Sequence, residues 1–136
     1  MYDELPAELE RIGKIIVDAA YTVHRTLGPG LLESVYKICL AHELEKRGLR
    51  VEREVPVTVV YDGIKFPAAF RIDLLVDGCV VVETKSVERD IHVHTSQALT
   101  HMKLHDPSCR LGYLINFNVP LIKDGIKRLA RSYDVQ

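Results

Sequence analysis

The residues best suited to chemistry in this sequence are an aspartate, a glutamate and a lysine that stand among strand-forming apolar residues. Along residues 80–85 the side chains alternate between two faces, so Glu83 and Lys85 project from one side of an otherwise apolar strand. Asp73 lies on the preceding strand, on the face opposite to most of its apolar neighbours. Two carboxylates that converge from adjacent strands suit Mg²⁺ or Mn²⁺, which prefer hard oxygen ligands. A nearby lysine can orient or deprotonate an attacking water, or stabilise a phosphate in the transition state.

The turn between these two strands decides whether the carboxylates can meet. A two-residue turn at 77–78 would place Asp73 and Glu83 on opposite faces of the sheet. A three-residue loop over 76–78 would put Asp73 opposite Val81, on the face that carries Glu83. We therefore predict an odd-length loop, or a compensating bulge near Asp73. The alternative is that Glu-x-Lys is an ordinary exposed ion pair, which contributes only ~0–1 kcal/mol.

The elements that must position these residues follow from hydrophobic periodicity. The sequence predicts two amphipathic helices, three strands of an antiparallel meander, a third helix, a further strand and a closing amphipathic helix. Their approximate bounds are 6–26, 31–47, 51–61, 66–76, 79–85, 95–105, 110–117 and 121–132. The predicted order is ααβββαβα, an α/β fold with a mixed sheet flanked by helices, in a single domain over 1–136.

Composition limits the classes of function. The chain has 136 residues, 47% hydrophobic and 27% charged, as in ordinary globular domains. Its formal net charge is -1, so any surface that binds nucleic-acid phosphates must be local. The three cysteines, Cys39, Cys79 and Cys109, have no Cys-x-x-Cys spacing and predict neither a disulfide framework nor a cysteine zinc site. No apolar run approaches the roughly 20 residues that span a bilayer, so we expect a cytoplasmic protein without a membrane partner.

Separated motifs carry a resemblance to a known family. Asp73, followed after a short hairpin by Glu83-Thr84-Lys85, resembles the Asp…Glu-x-Lys signature of the PD-(D/E)XK nuclease superfamily. The segment 30–36, Gly-Leu-Leu-Glu-Ser-Val-Tyr, is similar to the motif for which the GxxExxY protein family is named, and the match continues through Asn116-Phe117. The resemblance implies a PD-(D/E)XK nuclease-like, or restriction-endonuclease-like, core.

The same resemblance implies roles for further residues. Glu33 would reach the site as a metal or metal-water ligand, and Tyr36 would brace it or contact substrate. The Thr84 backbone carbonyl would be another ligand. Gln97 and His101 resemble a Gln-x-x-x-Tyr motif that some relatives use near the active site, with histidine in place of tyrosine. His101 would still contact nucleic acid, by donating a hydrogen bond or by contacting phosphate. From the residues alone, Glu33 in the first helical turn is also explained by the helix dipole, at ~0.3–1 kcal/mol.

Two other groups of residues predict competing or additional sites. Histidines four apart on a helix can share one zinc ion, and a cluster surrounds the third helix: His92, His94, His101 and His105. The closing helix gathers cations that could hold a phosphate backbone: Lys123, Lys127, Arg128 and Arg131. The alternatives are hydrogen-bonded histidines and a solvated helix face, respectively.

The preferred hypothesis is Mg²⁺- or Mn²⁺-dependent hydrolysis of a phosphodiester, with Asp73 and Glu83 binding the metal, Glu33 and Gln97 supporting the site, and Lys85 acting on water or phosphate. The expected partner is nucleic acid, with DNA favoured over RNA, and a homodimer or protein partner would supply specificity. A second hypothesis is a nucleic-acid-binding or assembly module that no longer cleaves. A third is a domain stabilised by zinc and histidines.

Overall fold

The structure, a computed structural model, describes residues 5–88 and 92–131. The helices are α1 (Ala7–Leu27), α2 (Glu33–Lys46) and α3 (His92–His105), with a short 3₁₀ helix at Ile122–Asp124. The strands are β1 (Val51–Tyr61), β2 (Ile64–Val76), β3 (Val80–Lys85), β4 (Leu111–Asn116) and β5 (Ile126–Ala130). None of the helices in these two ranges is long and apolar enough to cross a membrane.

One five-stranded mixed sheet, in the order β1-β2-β3-β4-β5, forms the centre of the molecule. β1, β2 and β3 are an antiparallel meander, as predicted. β4 then runs parallel to β3, which requires the crossover that α3 provides. The predicted α/β class with a mixed sheet flanked by helices is therefore confirmed.

Helices cover both faces of the sheet. α1 and α2 pack against one face, where Ile16 and Leu40 join Val82 and Ile115 in the larger apolar core. α3 packs against the other face through Ala98 and Met102. Because both faces are covered, β3 and β4 consist almost wholly of buried residues, including the end of β3 that carries Glu83.

The predicted closing helix is wrong. Residues 126–130 form β5, antiparallel to β4, and only the 3₁₀ turn before them is helical. The apolar residues Ile122, Ile126 and Leu129 have helical spacing, but β4 is buried on both faces and would otherwise lack a hydrogen-bonding partner on this side. Pairing along β4 therefore overrides a local helical pattern.

The loop between β2 and β3 has three residues, 77–79, so the predicted odd length is confirmed. Asp77 and Gly78 both have left-handed backbones, at φ 49° and 69°. Asp77 is anchored to the backbone of Arg50 by two hydrogen bonds of 2.8 Å. The strands pair Leu74 with Val82, Leu75 with Val81 and Val76 with Val80. The predicted register, with Asp73 opposite Val81, was wrong. The observed pairing, continued by one residue beyond Leu74 and Val82, places Asp73 opposite Glu83.

Candidate active site

The site is centred on Asp73, where the β2–β3 ladder ends. Pairing stops at Leu74 and Val82, and the Asp73 carboxylate takes the place of the next ladder acceptor. Its Oδ2 accepts a hydrogen bond of 2.8 Å from the Thr84 backbone N–H and one of 3.3 Å from the Thr84 hydroxyl. Asp73 is 9% exposed and Thr84 is fully buried. A strand end that splits around a carboxylate thus fixes the orientation of Asp73.

Glu83 lies beside Asp73 and is itself only 6% exposed. Burial, the negative charge of Asp73 and a hydrogen bond with the Asp73 side chain together raise the pKa of Glu83 to about 9, while Lys85 opposes the shift. At neutral pH the metal-free pair therefore holds a proton. Two adjacent buried carboxylates have too little positive charge around them to balance two negative charges. A bound cation would supply the missing positive charge.

His101 reaches this pair from α3. Its Nδ1 lies 2.9 Å from Glu83 Oε1, and its ring stacks on Phe70 with centroids 4.0 Å apart. Burial and the charge of Lys85 lower the pKa of His101, although Asp73 opposes them, which favours the neutral ring. Gln97, one helical turn earlier, is exposed, and its side chain has no hydrogen bond to any residue that the structure describes. Of the two predicted α3 residues, only His101 contacts the pair.

Lys85 and Glu33 border the same site. The Lys85 ammonium acts electrostatically on both Glu33 and Glu83, although it forms no ion pair within residues 5–88 and 92–131. Glu33 is the first residue of α2 and so lies in the first helical turn, as predicted. Burial raises the pKa of Glu33, with Lys85 opposing and Asp73 adding to the shift. The charges of Lys85 and Asp73 therefore both act on the Glu33 carboxyl group.

Lys37 and Glu54 are members of the site that sequence reasoning missed. The Lys37 ammonium lies 3.4 Å from Asp73 Oδ1 and also forms an ion pair with Glu54. Burial disfavours the charge of Lys37, but these carboxylates outweigh burial and raise its pKa. Glu54 has a left-handed backbone, φ 53°, in the middle of β1. Lys37 could have been found, since it follows Glu33 by one helical turn, whereas nothing in the sequence predicts the irregularity at Glu54.

Tyr36 is a structural brace. Its ring is fully buried and stacks on Phe117, with centroids 4.6 Å apart. Its hydroxyl donates a 2.5 Å hydrogen bond to the Gly28 carbonyl and accepts a 3.0 Å bond from the Leu31 N–H. The predicted contact of Tyr36 with nucleic acid is wrong, because no part of the side chain reaches solvent. The predicted bracing role agrees with these bonds, which hold the loop that leads into Glu33.

Tyr36→Phe is expected to keep the stacking and lose both hydrogen bonds. We expect the free energy of unfolding to fall by about 1–3 kcal/mol, because the Gly28 carbonyl and the Leu31 N–H lose their partner. Urea denaturation followed by circular dichroism measures this change. Tyr21→Phe is the control, since Tyr21 is 39% exposed on α1 and its replacement should leave stability unchanged. Equal midpoints for the two variants would contradict the bracing role.

The segment after β3 is held by side chains for which the sequence predicted no role. The Asn116 side chain bonds both the N–H and the carbonyl of Val87, at 3.1 and 2.9 Å. The Ser86 hydroxyl donates a 2.6 Å bond to the Leu31 carbonyl. These contacts join the end of β4 and the loop before α2 to the residues that follow Lys85. They fix the backbone from which Lys85 extends.

The predicted phosphate surface at the end of the chain is not formed. Lys123 lies in the 3₁₀ helix, and Lys127 and Arg128 alternate on β5, so they do not share one face. Arg128 instead pairs with Glu10, at 2.7 Å. Arg131 donates a 2.7 Å bond to the Cys109 carbonyl. The helix that would have aligned these cations is absent.

The side chains best suited to hold a metal ion are the carboxylates of Asp73 and Glu83. Within the two described ranges, no three His, Cys, Asp or Glu side chains are grouped closely enough to form a metal cluster. The histidine zinc site therefore gains no support. Nδ1 of His101 instead contacts the Glu83 carboxylate. The Asp73–Glu83 pair offers two hard oxygen donors that already hold a proton in place of a cation, which fits Mg²⁺ or Mn²⁺.

A mixed sheet whose split strands bring together Asp73, Glu83 and Lys85 defines a nuclease-like α/β domain. A family model described as PD-(D/E)XK nuclease superfamily matches residues 10–129. The chain belongs to this superfamily, as its Asp…Glu-x-Lys motif predicted. Comparison with curated proteins and with solved structures found no significant match.

Proposed function

We propose that the protein is a Mg²⁺- or Mn²⁺-dependent nuclease of the GxxExxY family that hydrolyses phosphodiester bonds, with DNA favoured over RNA. The observation that supports this most is geometric. Asp73 and Glu83 lie side by side, buried, at the split end of two strands, with the Lys85 ammonium nearby. A chain of the PD-(D/E)XK superfamily that keeps both carboxylates and the lysine retains the groups for metal-assisted hydrolysis.

In this proposal Asp73 and Glu83 hold the cation, the Thr84 carbonyl adds a backbone ligand, and Glu33 acts through a bound water. A divalent cation held there would lower the pKa of a water molecule and neutralise charge on the phosphate. The indirect role of Glu33 follows from the absence of any three-ligand cluster in the described part of the chain. Two direct carboxylates still leave coordination positions for water and phosphate.

The chain's other residues orient these groups. Lys85 positions the attacking water or stabilises the negative charge that develops on the phosphate. His101 fixes the Glu83 carboxylate through its 2.9 Å contact, and its stacking on Phe70 restrains the ring. Lys37 restrains Asp73 Oδ1, while Thr84 bonds Oδ2. Each carboxylate is thus held on more than one side before substrate binds.

A second candidate is a nucleic-acid-binding or assembly module that does not cleave. The observation that favours it is that residues 5–88 and 92–131 contain no group of three candidate metal ligands. In that case the carboxylate pair would stay protonated and structural. Cleavage assays separate the two candidates directly.

The test is incubation of the purified protein with single- and double-stranded DNA and RNA, each with Mn²⁺, Mg²⁺ or a chelator. We expect cleavage that depends on the divalent cation and is lost in Glu83→Ala. Binding without cleavage under every condition would support the non-cleaving module. Cleavage that survives chelation, or that Glu83→Ala retains, would contradict the proposal.

A further inference from the structure

A cavity of about 580 Å³ lies between α2 and β1, beside the carboxylate pair. Five residues line it: Ser34, Lys37, Ile38, Arg53 and Glu54. Sites that bind small molecules typically have volumes of about 300–1,000 Å³, so this cavity has room for a group the size of a nucleotide. None of the roles assigned to the active site uses Ser34, Ile38 or Arg53.

Lys37 forms a wall that the cavity shares with the active site. Its ammonium contacts Asp73 Oδ1 at 3.4 Å and also pairs with Glu54, which lines the cavity. The side chain of Lys37 is 15% exposed, so it is held between the two spaces. A substrate strand that lies on the carboxylate pair would therefore have its neighbouring nucleotide at this cavity.

Arg53 supplies an uncommitted positive charge. It is exposed, and it forms no ion pair or side-chain hydrogen bond with the residues that the structure describes. By contrast, Arg11, Arg47 and Arg128 are each paired with a carboxylate. The one acidic residue lining the cavity, Glu54, is paired with Lys37. The unpaired charge in this cavity is therefore the Arg53 guanidinium, which suits a phosphate.

Ile38 gives the cavity an apolar side. It lies one position after Lys37 on α2 and is 54% exposed, which is unusual for an isoleucine on a helix that packs against a sheet. A cation for phosphate beside an apolar surface for a sugar or base matches the two chemical parts of a nucleotide. An isolated inorganic anion would use only the first of these.

We propose that this cavity binds one nucleotide of the substrate strand, next to the phosphodiester that is cleaved. Arg53 contacts its phosphate, and Ile38 packs against its sugar or base. This inference rests on the proposed nuclease function, because the nucleic-acid strand that occupies the cavity is the one that is cleaved at the carboxylate pair. It assigns substrate binding to residues that take no part in the chemistry.

The first test measures binding without cleavage. In the Glu83→Gln background, fluorescence anisotropy of a labelled single-stranded DNA is followed over a range of salt concentrations, with Arg53→Gln added. We expect Kd to rise about fivefold or more and the salt slope to lose about one phosphate contact. Lys65→Gln is the control, because it removes one positive charge from an exposed position eight residues from Asp73 along β2.

The second test fills the cavity with the wrong charge. Ile38→Glu should weaken binding more than Arg53→Gln does, because it repels phosphate and removes the apolar side. Val93→Glu is its control, since Val93 is 77% exposed on α3, on the other side of the sheet. In the cleaving protein, Arg53→Gln should raise KM and leave kcat within about twofold.

These outcomes separate the inference from the nuclease proposal. Cleavage that proceeds normally while Arg53→Gln and Lys65→Gln bind equally would overturn the cavity assignment and leave the nuclease proposal intact. Loss of binding confined to Arg53 and Ile38 variants, in a protein that cleaves nothing, would support nucleotide binding at the cavity and overturn both the nuclease proposal and the position beside a cleaved bond. If the parent protein binds no nucleic acid, the cavity assignment is wrong as well.

Discussion

Glu83→Gln is expected to abolish cleavage and at the same time stabilise the metal-free protein at pH 8. The folded-state pKa of Glu83 is raised from an ordinary value near 4.5 to about 9, mainly by burial. Between these values the unfolded chain has released the proton and the folded chain retains it. The stability that protonated Glu83 contributes is therefore complete below its ordinary pKa near 4.5, and it is lost as the pH rises through its folded-state pKa of about 9.

Glutamine is neutral at every pH, so it avoids this loss while keeping the shape of the side chain. We expect Tm of the variant to exceed that of the parent by about 3 °C or more at pH 8, and the two to agree closely at pH 5. Cleavage should fall by about 10³-fold or more, equivalent to about 4 kcal/mol of transition-state stabilisation. Thermal denaturation in the presence of a chelator and an initial-rate assay measure the two effects.

The same change in Glu52, an exposed glutamate of β1, is the control and should alter neither quantity. A Glu83→Gln protein that is less stable than its parent at pH 8 would mean that the pKa of Glu83 is not raised in the folded protein as described above. Retained cleavage would remove Glu83 from the mechanism. The two results are independent, so each can fail alone.

Lys85→Ala is expected to lower kcat by about 10²–10³-fold, as is typical when a group that stabilises transition-state charge is removed. The ammonium lies near the carboxylate pair but forms no ion pair in the described segments, so it is available to water or phosphate. The Mn²⁺ concentration for half-maximal activity should change by no more than about twofold, because Lys85 is not a ligand.

Lys103→Ala is the matched control, since Lys103 is an exposed cation on α3. This helix packs on the sheet face that carries Val81 and, by strand alternation, Lys85. A measurement of kcat over a Mn²⁺ titration distinguishes the two variants. If Lys85→Ala and Lys103→Ala have equal, small effects, Lys85 is an ordinary surface cation. If Lys85→Ala mainly shifts the Mn²⁺ requirement, its role lies in shaping the metal site.

Much of the fold could be predicted from local patterns. The first two helices and the meander follow from periodicity and from the glycines that end each segment. The odd loop between β2 and β3 followed from requiring Asp73 and Glu83 to share a site, although the register did not. The strand at Ile126–Ala130 could not be predicted, because its apolar spacing fits a helix and only the unpaired side of β4 decides the outcome.

The candidate site was predictable to the extent that a motif carried it. Asp73, Glu83 and Lys85 lie in one motif, and the structure brings the two carboxylates together beside the lysine. Lys37 and Glu54 were missed, because their contacts with each other and with Asp73 join three separate elements. Tyr36 was expected either to brace Glu33 or to contact substrate, and its full burial decides for the bracing role.

Metal-dependent cleavage by the carboxylate pair is tested by measuring the rate of phosphodiester cleavage as a function of Mn²⁺ concentration, for the parent protein and Asp73→Asn purified in parallel. Asparagine keeps the shape of Asp73 and removes the charge that the cation requires. We expect a saturable rise in rate for the parent and no Mn²⁺-dependent cleavage for the variant, with both proteins folded. Superimposable curves for the two proteins would contradict this mechanism.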